Sequence, residues 1–343
     1  MKSSSVTIKD IAKILGISKS TVSRALTEHS DVNAETRKEI LDIAMKLQYQ
    51  PNTLAVALKQ QRTNTIGVII PETVNRFFAK AIGGIQHIAN NAGYNVMICQ
   101  SNESVFTEKN ILQSLINARV DGILISVSGE TECADHFQSL IQKKTPVVFF
   151  DRIMEDLETS KVHTDNFEIA FKGTEHLIQQ GCKRIAIIAG PQNLFNSRNR
   201  LQGYLKALER YSIQVDERYI VHSHFRSNSV EEYTQYLINL PNRPDAVFAI
   251  NDYSAIEMMH VMKKNGIEIP NDIAVLGFNN DHIGKFTEPA LSTIDISAYD
   301  IGCAAAEILL KHIKNTEYPI QKRLIRSELV IRESTLLKKP ILV

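Results

Sequence analysis

The chain has none of the short signatures that mark catalysis by a bound nucleotide, an activated nucleophile or a zinc ion. No G-x-G-x-x-G, Walker loop, G-x-S-x-G elbow or H-E-x-x-H occurs in its 343 residues. Cysteine is scarce. The four present, Cys99, Cys133, Cys182 and Cys303, lie far apart with no C-x-x-C pair, so buried free thiols in a reducing cytoplasm are expected rather than a disulfide framework. The opening MKSSSVTIKD lacks the apolar core of a signal peptide, and no run approaches the ~18 apolar residues of a membrane span. A cytoplasmic protein with no membrane partner is the expectation. His222-Ser223-His224 has no cysteine or carboxylate nearby and reads as loop, so neither a metal nor another cofactor is expected.

Charge of one sign is also nearly absent overall, at net +1, but its distribution is uneven. Up to Arg62 there are ten Lys/Arg against six Asp/Glu, net +4, which leaves −3 for the rest. Basic charge is therefore concentrated in the first sixth of the chain, where contacts to phosphate would need it. Apolar residues make up 43%, enough to bury the cores of one small domain followed by one large or two medium ones.

The basic segment contains the stretch Thr7 to Arg24, TIKDIAKILGISKSTVSR. Thr7 can cap a helix in which Ile8, Ile11, Ala12 and Leu15 fall on one face at i, i+3, i+4 and i+7. Gly16 stops it, and Ser18 offers a hydroxyl to cap a second helix with Val22, Ala25 and Leu26 inward. Lys19, Ser20, Thr21, Ser23 and Arg24 are left on the outer face, all able to donate hydrogen bonds. This is a helix-turn-helix pattern whose second helix suits a major groove. Lys19 and Arg24 can both donate to the O6/N7 pair of guanine, whereas Ser20 adapts to several bases and discriminates less. Asn33 caps a third helix with Ile40, Ile43, Ala44 and Leu47 at the same spacing, which would close a small core.

Thr7 to Leu58 resembles the DNA-binding headpiece of the lactose-repressor (LacI/GalR) family, whose pattern T-I-x-D-[IV]-A-x-x-x-G-[VI]-S-x-x-T-V-S-R is met almost residue for residue. The likeness continues through Glu35-Thr36-Arg37, Leu47-Gln48-Tyr49 and Pro51-Asn52 and extends over nearly the whole chain. It implies DNA contacts from Thr7, Ser18, Lys19, Ser20, Thr21, Ser23, Arg24 and Tyr49. It also implies that Asn52 to Lys59 is a hinge helix that folds when two copies meet on an operator, with Leu58 wedged into the minor groove. Eight residues are too few for a stable isolated helix. Where family members often carry Arg in the hinge, this chain has Val56.

From Ile66 onward, short Val/Ile-rich runs alternate with helical spacing: Ile66 to Ile70, Val96 to Cys99, Gly122 to Ser126, Val147 to Phe150, Ile185 to Ala189, Ala246 to Ile250 and Ile273 to Gly277. Such runs predict parallel sheets covered on both faces, an α/β class, in two groups that suggest two lobes. The resemblance implies the periplasmic-binding-protein-like fold with three crossings between lobes. The expected division is a headpiece at 1–50, a hinge and linker at 51–65, and a two-lobed ligand-binding and dimerisation domain at 66–343. Within that domain, lobe 1 takes about 66–162 plus 293–320 and lobe 2 about 163–292 plus 321–343.

Open α/β sheets bind ligands at the carboxyl ends of their strands, and candidates stand at those ends. Asn75-Arg76-Phe77-Phe78 resembles the family's N-P-F-F with proline replaced by Arg76, and Phe77 or Phe78 would stack on a sugar ring. Asp151, Arg200 in R-x-x-G-[FY], Phe225, Asn251, Asp252 and Asn279 complete the expected ligand set, with Asn279 standing where the family has aspartate. Forked guanidinium groups, carboxylates and amides each bond two neighbouring hydroxyls, which suits polyhydroxylated ligands. Asp165 and Asp252 also lie where simple helix caps would.

A sugar-transport protein would account only for the second half of the chain and would need an export signal. An enzyme would need an acid/base or nucleophilic set, and no motif supplies one. The expectation is a non-enzymatic, sequence-specific transcriptional regulator, a repressor, that binds a palindromic double-stranded operator as a homodimer under control of a small-molecule effector, a sugar or sugar derivative. Tetrameric members of the family append a leucine heptad tail, whereas here only Leu336 to Val343 follow Arg332-Glu333-Ser334, so a dimer is expected.

Overall fold

A computed structural model describes residues 6–27, 31–49, 62–74, 76–223 and 230–336. The chain divides into two compact units, Met1–Thr63 and Asn64–Val343. Leu58, Val56 and the hinge segment Asn52 to Lys59 lie outside the described residues, as do Asn75, Phe225 and His224.

In the first unit, α1 (Ile8–Leu15), α2 (Lys19–Leu26) and α3 (Ala34–Lys46) close around one small core. Ile11, Val22, Ala25 and Ile40 are fully enclosed there, the positions at which the helical spacing puts the apolar face. Gly16 ends α1 at φ 67°, a left-handed conformation that glycine adopts without a clash between Cβ and carbonyl.

The second unit contains strands β1 (Thr65–Ile70), β2 (Asn95–Gln100), β3 (Gly122–Ile125), β4 (Val147–Phe150), β5 (Ser160–Thr164), β6 (Ile185–Ala189), β7 (Ile220–His222), β8 (Ala246–Phe248), β9 (Ala274–Leu276), β10 (Thr293–Asp295), β11 (Lys322–Ile325) and β12 (Glu328–Val330). The helices between them are α4 (Arg76–Asn91), α5 (Val105–Asn117), α6 (Asp135–Gln142), α7 (Asn166–Gln179), α8 (Phe195–Arg210), α9 (Val230–Ile238), α10 (Asp252–Lys264) and α11 (Ala298–Lys314). One sheet has the order β11-β5-β4-β3-β1-β2 and the other β7-β6-β8-β9, and every pairing in both is parallel.

Both faces of each sheet are covered, which is why the strands read as continuous apolar runs. Ile66, Val68 and Ile70 pack on the face that α4 and α11 cover, while Ile69 and Ile123 pack on the opposite face with Leu112 and Phe137 of α5 and α6. In the second sheet Ile185 and Ile187 face α7 and α8, while Ala186 and Ile188 face α9 and α10. Two glycines let helices touch: a Cβ on Gly302 of α11 would lie 2.0 Å from the Ala81 carbonyl oxygen of α4, and one on Gly203 of α8 would lie 2.3 Å from that of Phe167.

One expectation about the lobes is overturned. Residues 321–343 do not all belong to the second lobe, because Lys322–Ile325 pairs with Lys161–Thr164 and extends the first sheet. The third crossing therefore follows Ile325, not residue 320, and the first follows Thr164. β10 and β12 run antiparallel, Thr293 opposite Val330, as a two-stranded ribbon between the lobes.

Candidate functional sites: an exposed recognition helix and an interlobe cleft

Ser18 organises the start of α2. Its hydroxyl accepts from the Thr21 amide at 3.1 Å and lies 2.6 Å from the Ser20 hydroxyl and 2.9 Å from that of Thr21. Lys19, Ser20 and Arg24 are exposed, whereas Thr21 and Ser23 are half-buried beside Val22 and Ala25. Thr7 caps α1, its amide and hydroxyl donating to Asp10 at 2.8 and 2.7 Å, and the hydroxyl bond chiefly holds that carboxyl below its ordinary pKa. Tyr49 packs half-buried against the headpiece core. Two outward cations on a helix whose opening amides point forward match what a groove and its phosphates require.

In the second unit, a cleft lies between the lobes at the carboxyl ends of the strands and is lined by residues of both. Phe77 and Phe78 open α4, with their rings edge to face at 5.1 Å. Asp151 follows β4 at φ 58° and is almost fully buried. Burial raises its carboxyl above the ordinary range against the pull of Arg152, Arg200 and His163. Arg152 beside it is tied to Glu103 at 2.7 Å. From the other lobe come Arg200, Asn251 and Asn279. Asn251 also caps α10, accepting from the Ser254 amide at 2.8 Å, so its remaining amide hydrogens are what it can offer a ligand.

Arg200 is the best-supported of these side chains. Its Nε donates to Asn166 Oδ1 at 2.8 Å, and its guanidinium lies 3.6 Å from the centre of the Phe278 ring. Protein atoms crowd the group closely enough that burial lowers its pKa to about 10, although Asp151 opposes the shift. It remains a cation at neutral pH and lines the cleft, with Nη1 3.5 Å from the Ile250 carbonyl oxygen.

Asp252, expected among the ligand contacts, is not on the cleft wall. It is 1% exposed, and its carboxylate accepts from the Thr293 hydroxyl at 2.6 Å and from the Asp281 amide, tying α10 to the next loop and to the ribbon. Asp165 caps α7 through the Glu168 amide at 3.0 Å. Sequence reasoning missed Asn196, Ser197 and Ile250 on the wall. The spacing held one usable signal, since Asn196 and Arg200 are one helical turn apart on α8.

A helix-turn-helix unit in the same chain as a two-lobed α/β unit with a polar interlobe cleft defines the class of DNA-binding regulators with a separate small-molecule domain. Residues 7–52 match bacterial regulatory proteins, lacI family, and residues 174–335 match a periplasmic binding protein-like domain. The chain is 34% identical over 332 residues, 96% of each chain, to the HTH-type transcriptional repressor CytR of Escherichia coli strain K12. Among solved structures, the lac repressor dimer bound to operator and the anti-inducer ONPF superposes with a TM-score of 0.86 at 25% identity, over 97% of this chain and 100% of that one. The transcriptional regulator CelR–cellobiose complex superposes with a TM-score of 0.73 at 25% identity, over 96% and 99%. The chain belongs to the lacI family of bacterial regulatory proteins and is a DNA-binding transcriptional regulator. Among the described residues no helix is long and apolar enough to cross a membrane.

Proposed function

We propose that this regulator is a dimeric repressor that reads a palindromic operator through Ser18, Lys19, Ser20, Thr21, Ser23 and Arg24, and that a sugar or sugar derivative in the interlobe cleft sets its affinity for DNA. The observation that carries the ligand half is the convergence of Phe77, Phe78, Asp151, Arg200, Asn251 and Asn279, from five separate segments, on one cleft. Asp151 can only accept while ionised and Arg200 can only donate, so a ligand that satisfies both must present donors and acceptors side by side, as a vicinal diol does. The aromatic pair gives its ring an apolar wall. The operator-bound dimer and the cellobiose complex among the structural relatives support the two halves of this reading. In a dimer the two recognition helices reach successive major grooves, and a ligand that binds one lobe angle better than another shifts the headpieces between binding and non-binding arrangements.

The domain division belongs to the same proposal: a headpiece through residue 50, a hinge to 65, and the two-lobed remainder as the effector and dimerisation domain. The test is a thermal-shift screen of sugars, sugar phosphates and nucleosides on the full chain, followed by gel shifts on a palindromic operator with each hit. A specific ligand raises the melting temperature by mass action and changes operator affinity in parallel. A hit that stabilises the protein and leaves operator binding unchanged would refute the control mechanism.

A further inference from the structure

The mouth of the cleft carries charges that the ligand reading does not use. Arg76, the residue before Phe77, reaches from the first lobe to the loop after β9 in the second. Its Nη1 lies 3.8 Å from Asp281 Oδ1 and meets the His282 ring, 3.2 Å from Nε2. One helical turn further along α4, Lys80 Nζ donates to the Asn280 carbonyl oxygen at 3.3 Å. The receiving side is firmly built. Asp281 is 4% exposed, its amide donates to the buried Asp252 carboxylate, and its own carboxylate accepts from the Ile283 amide at 3.1 Å and meets His282 Nδ1 at 3.2 Å. Burial by itself would raise this carboxyl, but the Ile283 amide, His282 and Arg76 together hold it below the ordinary value, so it faces Arg76 as an anion.

We infer that Arg76 and Lys80 form an electrostatic clasp with Asp281, His282 and Asn280 that holds the two lobes together across the mouth of the cleft, so that opening in this protein is opposed by charge and weakened by salt. Phe77 on one side and Asn279 on the other are within two residues of the clasp, so the walls cannot separate without breaking it. The residue type matters. At the position where the resembling motif has proline, only a long cation spans the gap. Because Arg76 is 41% exposed, the pair sits partly in water, and a bias of about two- to five-fold in the open-to-closed ratio is the expected size. Lobe opening is a property of the empty protein and stands or falls without the proposed function. Only the corollary, that Arg76 slows entry and exit of the effector, rests on it.

The chain contains no tryptophan, so one introduced tryptophan is a silent-background reporter. Phe195 suits, because it packs half-buried against the first lobe's core from the start of α8, on the second lobe, and near neither Arg76 nor Asp281 in sequence. Acrylamide quenching of the Phe195→Trp dimer is measured without ligand in 20 mM and 1 M salt. The Debye length falls from more than 10 Å to about 3 Å over that range. Adding Arg76→Ala should raise quenching about two- to five-fold in low salt and abolish the further rise with salt, and Arg76→Lys should restore much of the parent behaviour. Asp281→Asn, which keeps the oxygen facing Ile283, should match Arg76→Ala, with the double variant no further raised. Quenching in Arg76→Ala equal to the parent in low salt, or a parent insensitive to salt, would overturn the clasp. Additive effects in the double variant would do the same. The Arg76 and salt arms suffice if Asp281→Asn does not fold.

Discussion

Replacing Arg200 by alanine separates what holds the cleft from what the cleft does. The folded protein would lose a charged hydrogen bond to Asn166, worth about 1.5 to 3 kcal/mol, and the stack on Phe278, worth about 2 kcal/mol in a desolvated setting. Against this stands the cost of burying the cation. Lowering the guanidinium pKa from its ordinary value to about 10 corresponds, at ~1.4 kcal/mol per pH unit, to roughly 3 kcal/mol that alanine no longer incurs. Because both values lie far above neutrality, this cost is present throughout the physiological pH range and adds no pH dependence there. The two sides nearly cancel, so stability should change by less than about 2 kcal/mol and the melting temperature by only a few degrees. Ligand binding has no such offset. Loss of the donor fork should weaken an effector by about 1.5 to 3 kcal/mol, roughly 10- to 150-fold. Arg200→Lys should rescue little, since an ammonium keeps the charge but not the planar fork. Calorimetry with a ligand from the thermal-shift screen, beside a gel shift without it, gives both numbers. Unchanged effector affinity, or operator affinity that falls without ligand, would refute the reasoning and make Arg200 a structural contact between α8 and α7.

Arg24→Ala should cost ~1 to 3 kcal/mol on the cognate operator and relax base preference at one position per half-site; uniform loss over all sequences in a binding-site selection would instead assign Arg24 to phosphate. Burial pushes the Asp252 carboxyl up to about 7 against its bonds to Thr293 and Asp281. The folded state then holds a proton that the unfolded state gives up near pH 3.8, so this group's contribution to stability falls as pH rises from about 4 to about 7 and is flat above. Urea melts of Asp252→Asn should lack that component of the slope, and an identical pH profile would remove Asp252 as its source. Gly302→Ala should destabilise by about 3 kcal/mol or more, because its Cβ would meet backbone at 2.0 Å and push α4 from α11. Gly83→Ala on the same helix pair, with nothing nearer than 4.0 Å, should be neutral or slightly stabilising through helix propensity in the same melts.

Local physics settles much of this protein. The headpiece is legible because its helices are short and amphipathic, their caps are single residues, and the outward cations are what remains once the core face is assigned. Six strands are legible because a parallel strand buried on both faces must be apolar throughout, and β2, a half-exposed edge strand, is legible because Val96, Met97, Ile98 and Cys99 form an apolar run all the same. The other strands are short: β7 and β11 lie at sheet edges and β10 and β12 in the ribbon, where one face or one edge meets water and the apolar signal fades, while β5 lies inside the first sheet but its apolar signal is broken by Ser160, Lys161, His163 and Thr164. For the same reason the third crossing is not legible in the sequence, since pairing of Lys322–Ile325 with β5 is a matter of backbone register that side chains barely encode. The cleft candidates could be named from the ends of strands, but not sorted. Asp252 and Asn251 are neighbours in sequence, and only tertiary packing turns one into a buried tie and leaves the other on the wall. Arg76 likewise shows in the sequence only as a departure from a motif, whereas its partners stand about two hundred residues away. Contacts between lobes depend on how the two sheets and their helices meet, and that is decided by packing across the crossings and not by any local run of residues.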